Sequence, residues 1–380
     1  MLHGAAATQK SDSPHAREYN RIRRWLTVAD AGLGLAVLLI LLVSGLSESM
    51  CDFALRLAHH GYSLGLLYYI ILLTLLMKIA GIGLDYYGFR VEHRFELSNQ
   101  KLRSWIRDEI KSYLVGLVMA VVLLELLYYT IGIAPRTWWM IAWLGFIGLF
   151  VLLAQLAPVI LFPLFYKFEP LDNQELRDRL MRLSERAGTR VRGIFEWKLS
   201  EKSKKANAAL AGLGGTRRII ISDTLLANYT PDQIEAVLAH ELGHHVHQHI
   251  FKSIFVQMAI SFFGFWLANA VLRWALEQKQ MFLYMSDFAN LPLLALVSTA
   301  LSLLLMPVLN AYSRHNEREA DLYCWRAIPS IEPFITSMNK LCDQNLGERE
   351  PSRAVEWLFH SHPAIGKRIA AAQRFAQQQT

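Results

Sequence analysis

Hydrophobic positions in this chain gather into six long runs separated by polar, charge-bearing segments. The runs are Leu26–Leu46, Tyr62–Leu84, Tyr113–Ile133, Trp138–Phe165, Ile254–Trp274 and Leu291–Tyr312. At about 1.5 Å of rise per residue, each is long enough as a helix to cross ~30 Å of hydrocarbon. The first follows a polar, arginine-bearing tail and lacks a small-residue cleavage site, which predicts a retained helix and not a signal peptide. Trp138 and Trp139 open the fourth run and Tyr86 and Tyr87 follow the second, as in an interfacial aromatic belt.

Between the fourth and fifth runs the pattern changes. Gly193–Trp197, Asn207–Gly212 and Arg218–Ile221 are short apolar or β-branched runs bounded by glycine and charge, and they predict a small sheet. Gly214-Gly215-Thr216 is the expected turn between the last two. Thr230-Pro231-Asp232-Gln233 then reads as a capping box with proline at the first helical position. Ile234, Val237, Leu238 and Leu242 supply the buried stripe of the helix it opens.

Composition fits a membrane protein: 53% of the 380 residues are apolar and the mean hydropathy is +0.23. Positive charge is unevenly spread. Lys10, Arg17, Arg21, Arg23 and Arg24 precede the first run; Arg90, Arg94, Lys101, Arg103, Arg107 and Lys111 lie between the second and third. The segment of about 167–252 and the tail after Tyr312 are also basic, whereas the alternate loops offer little beyond Arg56, Arg136 and Lys279. The positive-inside rule therefore puts both termini in the cytoplasm, in agreement with six crossings. Topology accounts for the net charge of +7, so no nucleic-acid partner is called for. Three cysteines, Cys51 outside and Cys324 and Cys342 inside, imply neither a disulfide framework nor a cysteine zinc site.

The chemistry begins at His240-Glu241-Leu242-Gly243-His244. Four residues of helix put His240 and His244 on one face, where two imidazoles suit two corners of a zinc tetrahedron. Glu241 lies about a third of a turn away, where it can take a proton from water at the metal. A third ligand is sought in Ser313–Asp321, directly after the sixth run. Glu317 and Asp321 are a turn apart there, one able to bind metal and the other to orient a histidine, with Glu319 pointing away. Taken alone, that segment reads more readily as a solvated polar helix at the membrane surface. His245 and His249 form a second pair at helical spacing, without a matching acid, and read as a polar helix end. Glu125 inside the third run faces either a water-filled chamber or a neighbouring helix.

These segments together resemble the Ste24-type CAAX prenyl proteases within the wider group of HtpX-like integral membrane metallopeptidases. The resemblance runs from about Tyr87 to the C-terminus. It is carried by Tyr87–Phe95, Pro163–Leu171, Ser203–Ala208, Arg218–Leu226, His240–His244, Ser313–Asp321 and His360-Ser361-His362-Pro363, in that order. It implies Glu317 as the third zinc ligand, His362 as donor to the tetrahedral oxygen with Arg368 assisting it, and Asn207 and Ala208 on the strand that receives substrate. Read as residues only, His362 serves equally well as a helix-start position before Pro363, and Asn207 as a strand-end asparagine. Eukaryotic relatives have seven spans around a large chamber; six here resemble a shorter bacterial member.

The expected architecture is an α-helical polytopic membrane protein of about six transmembrane helices with a cytoplasmic zincin-like α+β metalloprotease domain. Residues 1–25 form a cytoplasmic tail, 26–165 the first four spans with a cytoplasmic loop at 85–112, and 251–312 the last two spans. The catalytic domain is assembled from 166–250 and 313–380. The expected activity is a zinc endopeptidase of a bacterial cell membrane, with one Zn2+ per chain, working on peptides or membrane proteins, prenylated or not. CAAX-type processing and HtpX-like quality control are the competing enzyme readings. A zinc-stabilised membrane scaffold is the non-enzymatic one, disfavoured because Glu241, His362 and Arg368 are all present.

Overall fold

The computed structural model describes residues 12–212 and 216–379, so Lys10 and the Gly214-Gly215 part of the expected turn lie outside the described residues. The chain begins with α1 (Pro14–Val43), the shorter α2 (Leu46–Leu57), α3 (Tyr62–Arg94), α4 (Leu102–Ile133) and α5 (Trp138–Leu156). A π-helical turn at Ala157–Leu161 and the one-turn α6 (Phe162–Phe165) follow. Pro158 and Pro163, which cannot donate to the helical ladder, explain why the fourth apolar run is not one straight helix.

The soluble part starts with β1 (Phe168–Pro170), α7 (Gln174–Arg186), β2 (Ile194–Trp197), β3 (Ala208–Ala211) and β4 (Arg218–Ser222). It continues through α8 (Asp223–Asn228) and α9 (Pro231–Val246). Two long helices, α10 (His249–Glu277) and α11 (Leu291–Ala327), are then interposed. The chain ends with α12 (Glu332–Gln344), α13 (Arg353–Phe359) and α14 (Ile365–Gln377).

Among the described residues, α1, α3, α4, α5, α10 and α11 are the helices long and apolar enough to cross a membrane. Each takes up most of one of the six hydrophobic runs; the first run goes on past α1 to the start of α2 at Leu46 and the fourth past α5 to Phe165, while the other helices hold their runs whole. Their outer faces keep apolar side chains exposed, such as Val118 at 62% and Leu304 at 75%, surface that lipid covers in a bilayer. Inside the bundle, Leu66, Tyr69, Ile70, Tyr128 and Leu272 are buried. The Tyr128 hydroxyl donates to Asn290 Oδ1 at 2.6 Å, and Tyr69 shares a 2.6 Å hydrogen bond with Ser47, so these buried hydroxyls are paired within the bundle. Glu125 is half-buried and hydrogen-bonded to Ser63 on α3.

The polar extensions tie the bundle to the soluble part. Tyr19 on α1 donates to Glu92 Oε1 on α3 at 2.6 Å, and Lys205 reaches Glu92 Oε2 at 2.9 Å. After α3, the backbone of Leu97 and Asn99 bonds to Lys204 and Lys202. The sheet has the order β1-β2-β4-β3, with β2 and β4 parallel and the other pairs antiparallel. β3 is therefore an edge. Ile194, Ile219, Ile221, Leu180, Leu238 and Leu242 form the core between this sheet, α7 and α9, and Phe334 and Met338 of α12 extend it. The expected strands are present, each within a residue of its predicted ends.

Candidate metal centre

The capping box at the start of α9 is complete. Thr230 Oγ1 accepts from the Gln233 amide at 3.3 Å, and Gln233 Oε1 accepts from the Thr230 amide at 3.1 Å. With Ile234, Leu238 and Leu242 buried in the core, the phase of the helix is fixed and turns His240 and His244 toward α11. Gly243 sets the spacing between the two helices. A Cβ at this position would lie 2.8 Å from Ala320 Cα and 2.9 Å from the Ala320 carbonyl oxygen, closer than non-bonded carbon permits. That approach brings Glu317, one turn before Ala320, over the imidazoles.

The ligand geometry is tight. His240 Nε2 and His244 Nε2 are 3.3 Å apart, and each lies 3.2 Å from a Glu317 carboxylate oxygen. A tetrahedral zinc site with bonds of about 2.0–2.1 Å spaces its ligand atoms roughly 3.3 Å apart. Among the described residues Glu317 Oε2 is buried without a well-formed hydrogen bond, its nearest cationic neighbours being His240 Nε2 at 3.2 Å and Arg368 Nη1 at 3.7 Å: the ligand atoms converge on a common point. An orphaned buried carboxylate oxygen is costly unless a cation completes it. The three residues thus fit a divalent metal, and they are the candidate metal-holding group found among the described residues.

Around them the polar groups are ordered. Asp321 Oδ1 lies 2.9 Å from His240 Nδ1. Arg368 holds that carboxylate with Nε at 2.8 Å from Oδ2 and Nη2 at 2.6 Å from Oδ1. The resemblance implies Arg368 holding or assisting His362; its hydrogen bonds run to Asp321, with Nη2 also 3.3 Å from His240 Nδ1, because α14 packs its buried side chain under α11. Burial disfavours a charged His240, but Asp321 and Glu317 outweigh it and push its pKa up to about 9 in the metal-free protein. Burial also pushes Glu241 above the usual carboxylate range, against the pull of His240 and His244 and a backbone hydrogen bond from Leu210. A carboxylate poised in this way is suited to taking up a proton.

His362 is more open, its side chain 61% exposed with Nε2 at 3.3 Å from Glu317 Oε1. The loop that carries it is held from below by buried Arg314, whose Nη1 donates to the carbonyls of Glu356 at 3.0 Å and His360 at 2.7 Å. Glu356 Oε1 in turn accepts from the Ala364 amide at 3.1 Å. Asn207 is exposed just before edge strand β3. Its carbonyl accepts from the Ser222 amide, so the alternation of an antiparallel ladder turns the N–H and C=O of Ala208 and Leu210 to the open edge. A cavity of about 410 Å³ runs from Glu241, His244 and Leu210 to Phe150 and Ala154 of α5 and Ile254 of α10.

The expected second pair, His245 and His249, does not form. α9 stops at Val246 and Gln248 adopts φ 55°, ψ 33°, so His249 opens a new helix and turns back to His244. Its partner is Glu319, the acid read as pointing away from the site. Nothing in the sequence marks the break, since a glutamine takes the left-handed position where glycine or asparagine would have signalled it. Arg314 and Glu356 were equally silent.

A bundle of membrane-length helices with a His-His-Glu cluster, its histidines on the H-E-x-x-H helix α9 and its glutamate on α11, defines an integral membrane metallopeptidase. Comparison with known proteins leads to the same class. Residues 170–376 match the model of Peptidase family M48, and residues 5–167 match that of the CAAX prenyl protease N-terminal domain, five membrane helices. The chain belongs to peptidase family M48. Within 12–167 the described residues form four helices of membrane length plus the shorter α2.

The chain is 27% identical to the uncharacterized metalloprotease YhfN of Bacillus subtilis, over 97% of this chain and 87% of that one. It is also 27% identical to CAAX prenyl protease 1 of Saccharomyces cerevisiae, over 79% and 70%. Its fold matches the crystal structure of S. mikatae Ste24p with a TM-score of 0.85 at 23% identity, over 94% of this chain and 88% of that chain.

Proposed function

We propose that this metallopeptidase is a zinc endopeptidase working at the cytoplasmic face of a bacterial cell membrane, and that its substrates are CAAX-type prenylated peptides. One observation carries the catalytic reading: three ligand atoms at tetrahedral spacing with Glu241 beside them in a cavity. His240, His244 and Glu317 would hold one zinc and leave a position open. Bound there, zinc would acidify water and polarise the scissile carbonyl.

The chain's own residues do the rest. Substrate adds to β3 as an extended strand through the outward backbone groups of Ala208, with Asn207 bonding its main chain. Glu241 takes the proton of the attacking water and passes it to the leaving amine. His362 donates to the oxygen on which charge develops. Asp321, held by Arg368, fixes the tautomer and direction of His240. The prenyl assignment draws on the yeast relative's name and on the apolar walls that lead from the site to α5 and α10. The cytoplasmic assignment draws on the basic segments next to the soluble part.

The test is hydrolysis by detergent-purified, zinc-loaded protein of a farnesylated CAAX-type peptide and its unprenylated twin, with and without chelator. Chelator-sensitive cleavage that prefers the farnesylated peptide is expected. Equal cleavage of both would replace the prenyl assignment with general membrane-protein turnover, and no cleavage of either or of membrane proteins would remove the peptidase reading.

The metal affinity also has a predicted pH dependence. Zinc needs a neutral His240, whereas the metal-free site holds that ring protonated up to about pH 9. Zinc affinity should therefore rise with pH, about tenfold per unit, and level off near pH 9. Chelator-buffered titrations at several pH values check this; a flat profile between pH 7 and 9 would contradict it.

A further inference from the structure

The ligand histidines are held differently, and only His240 has an acid directly behind it. His244 directs Nε2 at the metal position and Nδ1 at His249 Nδ1, 2.9 Å away. His249 Nε2 in turn lies 2.9 Å from Glu319 Oε2. His249 is 3% exposed and stacks on the ring of His247.

Tautomers follow from these contacts. A neutral imidazole that offers Nε2 to a metal carries its proton on Nδ1. His244 Nδ1–H must then donate to a lone pair on His249 Nδ1. That leaves the His249 proton on Nε2, where it donates to Glu319. A protonated His249 would set two N–H groups against each other at 2.9 Å, so the only consistent arrangement runs His244 to His249 to Glu319 with both rings neutral. Lys252 and His315 each lie 3.9 Å from the same Glu319 oxygen and complete its charge environment.

From this geometry we infer that His249, backed by Glu319, is the positioning residue for ligand His244, a two-member relay that does for this ring what Asp321 does directly for His240. The relay crosses the break between α9 and α10. The left-handed Gln248 is what turns His249 back toward the preceding helix. The first residue of a membrane helix is thereby joined to the metal centre. The inference rests on the metal-site reading above.

The test is zinc affinity, measured by chelator competition on metal-free protein, with the visible absorption of bound cobalt(II) as a second readout. Wild type should bind one equivalent. Loss of a partner behind a metal-bound histidine typically costs about 10- to 100-fold in affinity, so His249→Ala and Glu319→Ala should each fall in that range. The double variant should be no weaker than His249→Ala alone, because both members act through one hydrogen bond to His244. His249→Gln can accept from His244 and donate to Glu319, and should recover most of the loss. The cobalt spectrum should shift in the alanine variants and return in the glutamine variant.

Wild type that binds no zinc would refute the metal site itself. Wild type that binds one zinc, with His249→Ala or Glu319→Ala binding as tightly and giving an unchanged cobalt spectrum, would refute the relay. If His249→Ala does not fold, Glu319→Ala and His249→Gln decide the matter. Unchanged affinity in the former, or no better affinity in the latter than in Glu319→Ala, overturns the inference.

Discussion

Glu241→Gln will bind zinc as the wild type does and hydrolyse peptide about 100- to 10,000-fold more slowly, the usual worth of a positioned general base. Glutamine keeps the volume and a hydrogen-bonding oxygen toward the Leu210 backbone on β3, so the site should stay assembled. What it loses is the ability to take a proton. Glu241 is not among the three converging ligand atoms, which is why metal content and turnover should separate in this variant. The readout is kcat at saturating peptide together with metal per chain. Turnover within a few-fold of wild type would remove Glu241 from the mechanism, and loss of zinc would mean that it holds the metal.

Gly243→Ala should cripple the enzyme without touching a single chemical group. The added Cβ meets backbone, the Ala320 Cα at 2.8 Å and its carbonyl oxygen at 2.9 Å, and backbone in a packed helix pair cannot rotate aside. α9 and α11 must separate, and Glu317 moves away from His240 and His244. Overpacking of this kind costs roughly 1–3 kcal/mol of stability, and about 1 Å of misplacement in a catalytic constellation can cost ~100-fold in rate. Gly264→Ala is the matched control, since its Cβ meets only the side-chain tip of Leu301 at 3.3 Å. Melting temperature, zinc affinity and kcat should all fall for Gly243→Ala and hardly change for Gly264→Ala. Wild-type values at Gly243→Ala would show that the close approach is not what assembles the site.

The membrane architecture is legible because each span announces itself by length: Leu26–Leu46 and its five counterparts fall largely on α1, α3, α4, α5, α10 and α11. The start of α9 was legible because a capping box is a local signal, with Thr230 and Gln233 three residues apart. His240 and His244 share a face by helical spacing alone. What escaped the sequence depends on contacts across the fold. Arg368 bonds to Asp321, 47 residues away in the chain, and α14 has no local mark that points it there. Helical spacing pairs His249 with His245, but a one-residue change of backbone at Gln248 turns it to His244 instead. Arg314 and Glu356, buried beneath the loop of His362, look like ordinary surface charges until the helices carrying them are packed.

The most direct test of the central claim is the zinc content of detergent-purified wild type beside Glu317→Ala. One zinc per chain is expected in the wild type and little or none in the variant, with both proteins folded. Zinc-free wild type after metal-sparing purification, or the same zinc content in both proteins, would contradict a catalytic centre built from His240, His244 and Glu317.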